Sequence, residues 1–363
     1  MDKSTVLRLI LEMGAQVDEA ALEALANDPV ILEQLFRNKG EKLPPVITYD
    51  FLKSLSPTIG NQHRKTSVVQ LAKVLSDRYE FLRSLLTDRQ ELVNLISINK
   101  IGEKIKQFSV IGIVSEISDT LQLEDPTGKE TFSINSESAK NLVEDEVIGV
   151  VCERRSGVNG VELVVYPDIP LKKENNKTER PENCFFISDI YMDSQDFNKT
   201  YYKNLIGWLE GQKNLNVLVL GGVSTQEEDI KQLLSDIRHP TTVYHAKKHN
   251  RTPTTVKIEN VEILLSHSPF LGHSMRRWNS SPDTTVVNLL RKRNLDPVLT
   301  SESYNNSFLL ERIPDIVVMS GVGIPTATNY KGTTIITNGG FNTKPVYWQI
   351  NLQTRETFKI DFS

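Results

Sequence analysis

The chain has 363 residues, which is enough for two or three domains. Its 39% hydrophobic and 24% charged residues are typical of a folded globular protein. The formal net charge of −4 excludes a whole-molecule field that attracts nucleic acid, so any DNA contact must come from a local patch or a partner. No apolar run reaches the ~20 residues that span a bilayer, and we expect no membrane association. Cys152 and Cys184 match no zinc or redox spacing and are expected to be buried free thiols.

The N-terminal part of the chain predicts short helices. Residues 1–40 carry three helical patterns, and the third begins at the pair Asp28-Pro29, a suitable N-cap followed by proline. Such a small helical domain is either a docking or DNA-contacting module or a structural cap. Residues 41–104 predict a proline-containing connection followed by helices, the last of which starts at the capping-box spacing of Thr87.

Residues 105–170 change from a helical period to the two-residue period of strands. Three strands, a short helix and two strands follow one another, which is the order of an OB-fold barrel. Single-strand binding by such a barrel requires aromatic platforms and a basic groove. Aromatic residues are few here and acids are abundant, which favours a barrel that contacts protein. The predicted elements are strands beginning at Phe108, Leu121–Leu123, Glu130–Ile134, Val147–Cys152 and Val161–Val165, with a helix over Ser136–Val143.

Residues 171–182 are polar and aperiodic, and they predict a linker. From residue 183 to residue 363 apolar strands alternate with helices, which indicates a layered α/β domain. The predicted strands are Cys184–Ile187, Val217–Leu220, Thr241–His245, Val261–Leu265, Ile316–Met319, Thr334–Thr337 and Val346–Ile350. The predicted helices are Tyr201–Leu209, Glu227–Arg238 and Thr284–Arg293.

The segment Phe186–Ile190 reads as a buried strand that runs into a loop at Asp189. Metal-dependent phosphodiesterases place an Asp-x-His pair at such a position. Their two divalent ions lie about 3.5–4 Å apart and clamp the attacking and leaving oxygens. In this chain the third position of the motif is Tyr191, and a phenol does not replace an imidazole as a metal ligand.

Over roughly residues 105–363, the order of strands and motifs resembles that in the small subunit of archaeal family D DNA polymerase. This subunit is also called the DNA polymerase II small subunit. It is similar, more distantly, to the B subunits of eukaryotic replicative polymerases. The stretches that carry the resemblance are Phe186–Ile190, Val286–Val298, Ile313–Val317, Ser320–Gly321 and Tyr330–Phe341. The resemblance implies a helical N-terminus, an OB-fold and a calcineurin-like metallophosphoesterase-type α/β domain.

The resemblance also implies where metal ligands would stand. Three family positions are retained, namely Asp189, His249 and His267. The other positions carry residues that do not bind a divalent cation, namely Tyr191, Gly222, Thr225, Lys248, Val322 and Ile324. Three isolated ligands do not build a two-metal site, because affinity depends on ligand number and on oriented supporting groups. We therefore expect no cofactor, or Mn²⁺ or Mg²⁺ if the site is still occupied.

The function implied by the resemblance is that of an accessory subunit that scaffolds the large catalytic subunit of a replicative DNA polymerase. DNA is then contacted mainly through the complex, in the archaeal cytoplasm beside the nucleoid, and the 3′→5′ exonuclease of the family is lost. One alternative is an exonuclease or phosphodiesterase subunit that works with a reduced ligand set. The other is a single-stranded-DNA-binding OB-fold module.

One further set of residues has two interpretations. These basic residues either contact DNA phosphate or form a solvated helix face: Arg276, Arg277, Arg291, Lys292 and Arg293.

Overall fold

The computed structural model describes ten ranges of the chain. They are residues 3–12, 15–27, 46–48, 51–52, 68–171, 175–237, 244–245, 252–267, 269–297 and 306–363. The chain forms two compact units, Met1–Lys73 and Val74–Ser363. Within the described ranges, every helix is too short or too polar to cross a membrane.

The first unit contains two helices and a short pair of parallel strands. Its elements are α1 (Lys3–Glu12), β1 (Gln16–Val17), α2 (Glu19–Asn27) and β2 (Val46–Ile47). The carboxylate of Asp18 accepts a hydrogen bond of 2.6 Å from the backbone N–H of Ala21, which caps the start of α2. The apolar faces of both helices pack together around Val6, Ile10 and Leu25. The first two predicted helices are confirmed, and the one expected at Asp28-Pro29 lies outside the described residues.

Most of a long helix belongs to the second unit, and the chain continues from it into a closed barrel. The helix is α3 (Val68–Thr87), and the barrel elements are β3 (Gln107–Ile117), β4 (Thr120–Asp125), β5 (Gly128–Ser133), α4 (Ser136–Ala139), β6 (Val147–Arg155) and β7 (Val158–Val165). The barrel closes in the order β3-β4-β5-β7-β6. All neighbouring strands are antiparallel except β5 and β7, which meet in parallel. Alternate residues such as Val110, Leu121 and Phe132 fill the interior.

The outer face of the barrel is covered by α3. Tyr79, Leu82 and Leu86 pack against Ile111 and Val165 of the barrel strands. The short helix predicted after Thr87 is wrong. Asn94 has a φ of 53°, outside the helical region. The chain beyond it runs beside β3, where the N–H of Ile96 donates to the carbonyl of Ser109 at 2.9 Å. Pairing with the barrel thus overrides the local helix signal.

The rest of the second unit is built from two five-stranded sheets. The first has the order β10-β9-β8-β16-β17 and the second the order β11-β12-β13-β15-β14. The strands are β8 (Asn183–Ile187), β9 (Leu215–Val219), β10 (Tyr244–His245), β11 (Thr254–Ile258), β12 (Val261–His267), β13 (Ile316–Ser320), β14 (Thr326–Tyr330), β15 (Thr333–Thr337), β16 (Val346–Asn351) and β17 (Thr357–Asp361). The helices are α5 (Lys199–Glu210), α6 (Glu227–Asp236), α7 (Pro269–Trp278) and α8 (Pro282–Arg291).

These elements form four layers, helix–sheet–sheet–helix. Residues such as Phe186, Leu218 and Ile336 pack between the two sheets, where β8, β9 and β15 are buried on both faces. Helices α5 and α6 cover the first sheet, and α7 and α8 cover the second. The α/β prediction is confirmed for the central strands and for three helices. The edge strands β11, β14 and β17 were not predicted, and neither was α7. Of the strand expected over Thr241–His245, only Tyr244–His245 lies within the described residues.

A buried ion pair joins the barrel to the layered domain. The ammonium of Lys292, just after α8, binds the carboxylate of Glu146 and donates to the carbonyl of Asn141 at 2.7 Å. The same ammonium lies 4.7 Å from the centre of the Tyr166 ring. Arg293 is buried as well, and it donates to the carbonyl of Leu310. Both interpretations given for Lys292 and Arg293 from the sequence are therefore wrong, because both side chains are buried. Lys292 binds across the contact between the barrel and the layered domain, and Arg293 binds backbone carbonyls within the layered domain.

Candidate functional site

The candidate site lies where β8 ends and the chain turns sharply. Asp189 and Tyr191 have φ values of 57° and 48°, in the left-handed region. The turn lies against the end of β9: the N–H of Asp189 donates to the carbonyl of Gly221 at 3.2 Å, and the N–H of Tyr191 donates to that of Gly222 at 2.8 Å. Since β8 and β9 are parallel, their carboxyl ends meet at one edge of the sheet. This places Asp189 beside the loop that carries the substituted position Gly222.

The carboxylate of Asp189 is buried and fully engaged by groups of the chain itself. One oxygen accepts the backbone N–H of Gly321 at 3.0 Å, and the other accepts the hydroxyl of Tyr191 at 3.2 Å. The Nδ1 atom of His267 lies 3.6 Å from the second oxygen. Burial raises the pKa of the Asp189 carboxyl, while the nearby imidazole and the Gly321 N–H act in the opposite direction. Burial likewise raises the pKa of the Tyr191 hydroxyl, so this group stays a hydrogen-bond donor at neutral pH.

His267 lies at the end of β12, on the facing sheet. Its Nδ1 atom is 2.9 Å from the hydroxyl oxygen of Ser320, at the end of the neighbouring strand β13. The side chain lies against Gly221, where an added Cβ would be 2.5 Å from the imidazole Cγ. The structure thus brings together two of the three retained family positions, Asp189 and His267. The third, His249, lies outside the described residues, as does the substituted position Lys248.

Gly222, where the resemblance places a bridging carboxylate, has no room for a side chain. Gly222 has a φ of 76°, which disfavours any side chain. A Cβ added there would lie 2.9 Å from the Oδ1 atom of Asp189 and 3.0 Å from its Cα. The chain therefore closes around Asp189 at the point where a bridging ligand would have to enter.

Two of the other substituted positions, Thr225 and Val322, contact groups of the chain itself. The N–H of Thr225 donates to the carboxylate of Asp193 at 2.8 Å, and its hydroxyl binds the same carboxylate. Val322 packs against the apolar core that lies under α8. Ile324 is 45% exposed and Tyr191 is 42% exposed, so two positions where the resemblance places histidine are now apolar surface.

These observations do not fit a two-metal centre. Among the described residues, no three His, Cys, Asp or Glu side chains converge on one point. The Asp189 oxygens are occupied by Gly321 and Tyr191, and Gly222 leaves no space for a bridging group. A divalent cation with one carboxylate and one imidazole lacks the ligand number that such sites need.

A cavity of about 460 Å³ lies next to the Asp189 loop, on the other side of Gly321. Its walls come from the last turns of α7, from the connection to α8, and from the loop after β13. Beside two glycines, its lining residues are Met275, Arg276, Asn279, Ser280 and Val322. The sequence indicated only Arg276, as one of several basic residues. No sequence pattern indicated Asn279 and Ser280, because their position in the cavity wall depends on how α7 ends.

Comparisons with known structures find phosphoesterases over half of the chain. A predicted phosphoesterase of Streptococcus pneumoniae is 7% identical, covers 51% of this chain and 92% of its own length, and has a TM-score of 0.30. A structure described as a novel archaeal phosphodiesterase is 14% identical, covers 49% of this chain and 99% of its own length, and has a TM-score of 0.27.

Comparisons with known sequences cover much more of the chain. No family model matches it. The DNA polymerase II small subunit of Methanothermobacter thermautotrophicus is 22% identical over 85% of this chain and 80% of the relative. That of Archaeoglobus fulgidus is 22% identical over 87% of both chains, and that of Thermoplasma acidophilum is 19% identical over 96% and 88%. Along most of its length the chain is similar to archaeal DNA polymerase II small subunits, and the resemblance predicted from its motifs is confirmed.

Proposed function

We propose that this chain is the accessory small subunit of an archaeal replicative DNA polymerase and that it carries no working nuclease centre. The observation that carries the proposal is its similarity to several archaeal DNA polymerase II small subunits over 85–96% of its length. In this proposal the large catalytic subunit adds nucleotides, and this chain binds that subunit as a scaffold. Its place of action is the cytoplasm, beside the nucleoid.

The proposed domain organisation is a helical domain, an OB-fold and a degenerate phosphodiesterase domain, with boundaries near those expected from the sequence. The closed strand order, and the position of α4 between the third and fourth barrel strands, support an OB-fold. The helix–sheet–sheet–helix layering supports a calcineurin-like phosphoesterase ancestry for residues 183–363.

The interface between barrel and layered domain supports a scaffolding role. In addition to the Lys292–Glu146 pair, the Lys331 ammonium lies 2.6 Å from the carboxylate of Asp168. The hydroxyl of Tyr330 donates to the same carboxylate at 3.0 Å. Contacts of this kind, buried and charged, fix the relative orientation of two domains because breaking one partner leaves an uncompensated charge. A rigid pair of domains presents one constant surface to a partner.

The aromatic residues of the barrel argue against stand-alone single-strand binding. Phe108 and Phe132 fill the barrel interior, so neither ring is open for stacking on a base. Tyr166 lies under the side chains of Arg291 and Lys292, at 4.8 and 4.7 Å from its centre. Base stacking on exposed rings is the main sequence-tolerant term in single-strand recognition. The barrel of this chain lacks that platform among its described residues.

Co-expression with the large subunit from the same genome tests the proposal. The two chains are expected to co-elute in size-exclusion chromatography at about micromolar concentration. The control is the large subunit passed over the same column with an unrelated protein of similar mass. Separate elution of the two subunits at that concentration would defeat the proposal.

A further inference from the structure

Two large apolar side chains are exposed on the loops beside the Asp189 carboxylate. Tyr191 is 42% exposed and Ile324 is 45% exposed. Their loops meet at Asp189, because one carboxylate oxygen accepts the Tyr191 hydroxyl and the other accepts the N–H of Gly321, which precedes Ile324 by three residues. Exposed apolar residues that are scattered singly are common, whereas apolar residues on adjoining loops are a feature of interaction surfaces. We call Tyr191 and Ile324 together the Tyr191 surface.

The Tyr191 ring is fixed in place by the chain itself. The N–H of Tyr191 donates to the carbonyl of Gly222 at 2.8 Å, and its carbonyl accepts the N–H of Ser194 at 2.9 Å. Its hydroxyl donates to Asp189, so three hydrogen bonds hold one residue. The φ of 48° is rarely adopted by an aromatic residue, so the surrounding turn imposes it. A side chain that is already held in one orientation loses little conformational entropy when a partner covers it.

Ile324 is held by a second turn, at the start of β14. Gly323 has a φ of 67°, and the carbonyl of Ile324 accepts the hydroxyl of Thr337 at 2.6 Å. Two residues later, at Thr326, the chain pairs with β15. The backbone that carries Ile324 is thus fixed to the second sheet, while its side chain stays exposed. Both members of the Tyr191 surface therefore have defined positions.

The segments beside Tyr191 are acidic. Residues 189–198 and 221–230 contain no lysine or arginine, and they contain six acids, namely Asp189, Asp193, Asp196, Glu227, Glu228 and Asp229. The two segments lie together, because the N–H of Thr225 donates to the carboxylate of Asp193 at 2.8 Å. Arg276 belongs to the cavity on the other side of Gly321, so the acidic character is confined to the side of Tyr191. Such a rim attracts lysine and arginine and repels phosphate.

We propose that the large catalytic subunit covers the Tyr191 surface with an apolar side chain flanked by lysine or arginine. This inference rests on the proposed function, which supplies that partner, and it names the surface that the partner binds. A nuclease centre has to leave its mouth open to a strand. A mouth with no two-metal centre behind it is free to be covered by protein. Charge complementarity with the acidic rim selects a basic protein segment over a nucleic acid.

The test is the affinity of the full chain for the purified large subunit, measured by biolayer interferometry. Tyr191→Ser and Ile324→Ser are each expected to weaken binding about tenfold, because each removes an apolar anchor from the centre of the interface. Tyr191→Phe keeps the ring and removes only the hydroxyl that binds Asp189, so its affinity is expected to stay within about twofold of the wild type.

The matched control for the ring is Phe358→Ser on the edge strand β17. Phe358 is 47% exposed, close to the exposure of Tyr191, and it lies outside the Asp189 loops. Its replacement is expected to change the affinity less than about twofold. Thermal denaturation followed by circular dichroism shows whether each variant is folded. If Tyr191→Ser disturbs its turn, Ile324→Ser alone carries the test, since it leaves the hydrogen bonds of Asp189 intact.

A second pair of variants tests the acidic rim. Glu228 is exposed in the first turn of α6, and Glu210 is exposed at the last residue of α5. Glu228→Lys is expected to slow association with the large subunit about fivefold at low salt and to reduce the salt dependence of the affinity. Glu210→Lys makes the same change in net charge away from the rim. It is expected to change the association rate less than about twofold.

Four results would overturn the inference. One is unchanged affinity in both Tyr191→Ser and Ile324→Ser, and another is equal weakening by these variants and by Phe358→Ser. The third is a dimer of the wild-type chain that Ile324→Ser dissociates, because a second copy would then cover the surface. The fourth is single-stranded DNA binding that Ile324→Ser abolishes. If all variants bind the large subunit like the wild type, this surface fails and the accessory role stands. If the wild type itself does not bind, the proposed function fails.

Discussion

The buried ion pair between Lys292 and Glu146 gives the sharpest prediction about stability. Both side chains are almost inaccessible, at 2% and 3% exposure, and each belongs to a different structural part of the second unit. Glu146 also accepts the backbone N–H of Val143 at 2.7 Å. Burial lowers the pKa of the Lys292 ammonium and raises that of the Glu146 carboxyl, while their mutual attraction opposes both shifts. Lys292→Met removes the cation and leaves the carboxylate in an apolar interface.

The expected cost of Lys292→Met is about 3–5 kcal/mol in the free energy of unfolding, because an uncompensated charge remains buried. The exposed pair of Lys231 and Glu227, at 68% and 77% exposure, provides the matched control. Lys231→Met removes the same cation from a helix surface and is expected to cost about 0.5 kcal/mol or less. Adding Glu146→Gln to Lys292→Met removes the orphaned charge and keeps an acceptor for Val143. The double variant is therefore expected to recover most of the loss.

Urea denaturation followed by circular dichroism measures all four proteins under one condition. The predicted order of stability is wild type, then Lys231→Met close to it, then the double variant, then Lys292→Met. A loss below about 1 kcal/mol for Lys292→Met would refute the reasoning, because it would mean that the carboxylate is solvated or protonated at little cost. A double variant less stable than Lys292→Met alone would refute it as well.

Two other predictions concern backbone crowding and thiol reactivity. Gly222 and Gly157 have similar φ values of 76° and 82°, but a Cβ meets Asp189 at the first and nothing within 4 Å at the second. Gly222→Ala is therefore expected to cost at least about 1 kcal/mol more than Gly157→Ala in urea denaturation, and equal costs would contradict the crowding described for the site. Burial raises the pKa of the Cys152 thiol to about 12 and that of Cys184 above its usual range. Because only the thiolate reacts, iodoacetamide at pH 8 is expected to leave both thiols unmodified in the native protein and to label both in urea; rapid native labelling would show that they are accessible.

The central strands of the layered domain could be predicted because they are continuous apolar runs. Strands β8 and β13 are buried on both faces, so apolar residues occupy consecutive positions and mark the strand in the sequence. The edge strands β11 and β17 were not predicted from the sequence. One face of each strand is solvated, and threonine, lysine and aspartate interrupt the apolar pattern. Helix α7 was not predicted for a related reason. A glycine, a histidine and two arginines interrupt its apolar stripe.

The prediction that the site lacks metal ligands could be made from the sequence because it depends on residue identity alone. A tyrosine, a glycine and two aliphatic residues at expected ligand positions need no coordinates to be noticed. The groups that contact Asp189 in place of a metal could not be predicted from the sequence. The hydroxyl of Tyr191 and the N–H of Gly321 reach Asp189 only through a turn with positive φ values and a contact between sheets. The second contact joins residues 132 positions apart, and neither contact leaves a local sequence pattern.

The basic residues around α7 and α8 show the same limit. The sequence indicated five basic residues as one set, and the structure separates buried members of the set from exposed ones. Lys292 and Arg293 are buried between parts of the fold, whereas Arg276 and Arg277 remain exposed. Charge along a helix therefore did not distinguish a cation that supports the fold from one that is free to meet a ligand. Burial distinguishes the two kinds of cation, and burial depends on the packing of α8 beneath the barrel.

We propose that the site around Asp189 holds no paired cations. The most direct measurement is hydrolysis of a 3′-labelled single strand by the purified complex of both subunits in Mn²⁺, compared with the complex carrying Asp189→Ala. The account predicts no cleavage, or a trace that is identical in the two complexes. Manganese-dependent 3′→5′ cleavage that disappears with Asp189→Ala would contradict it.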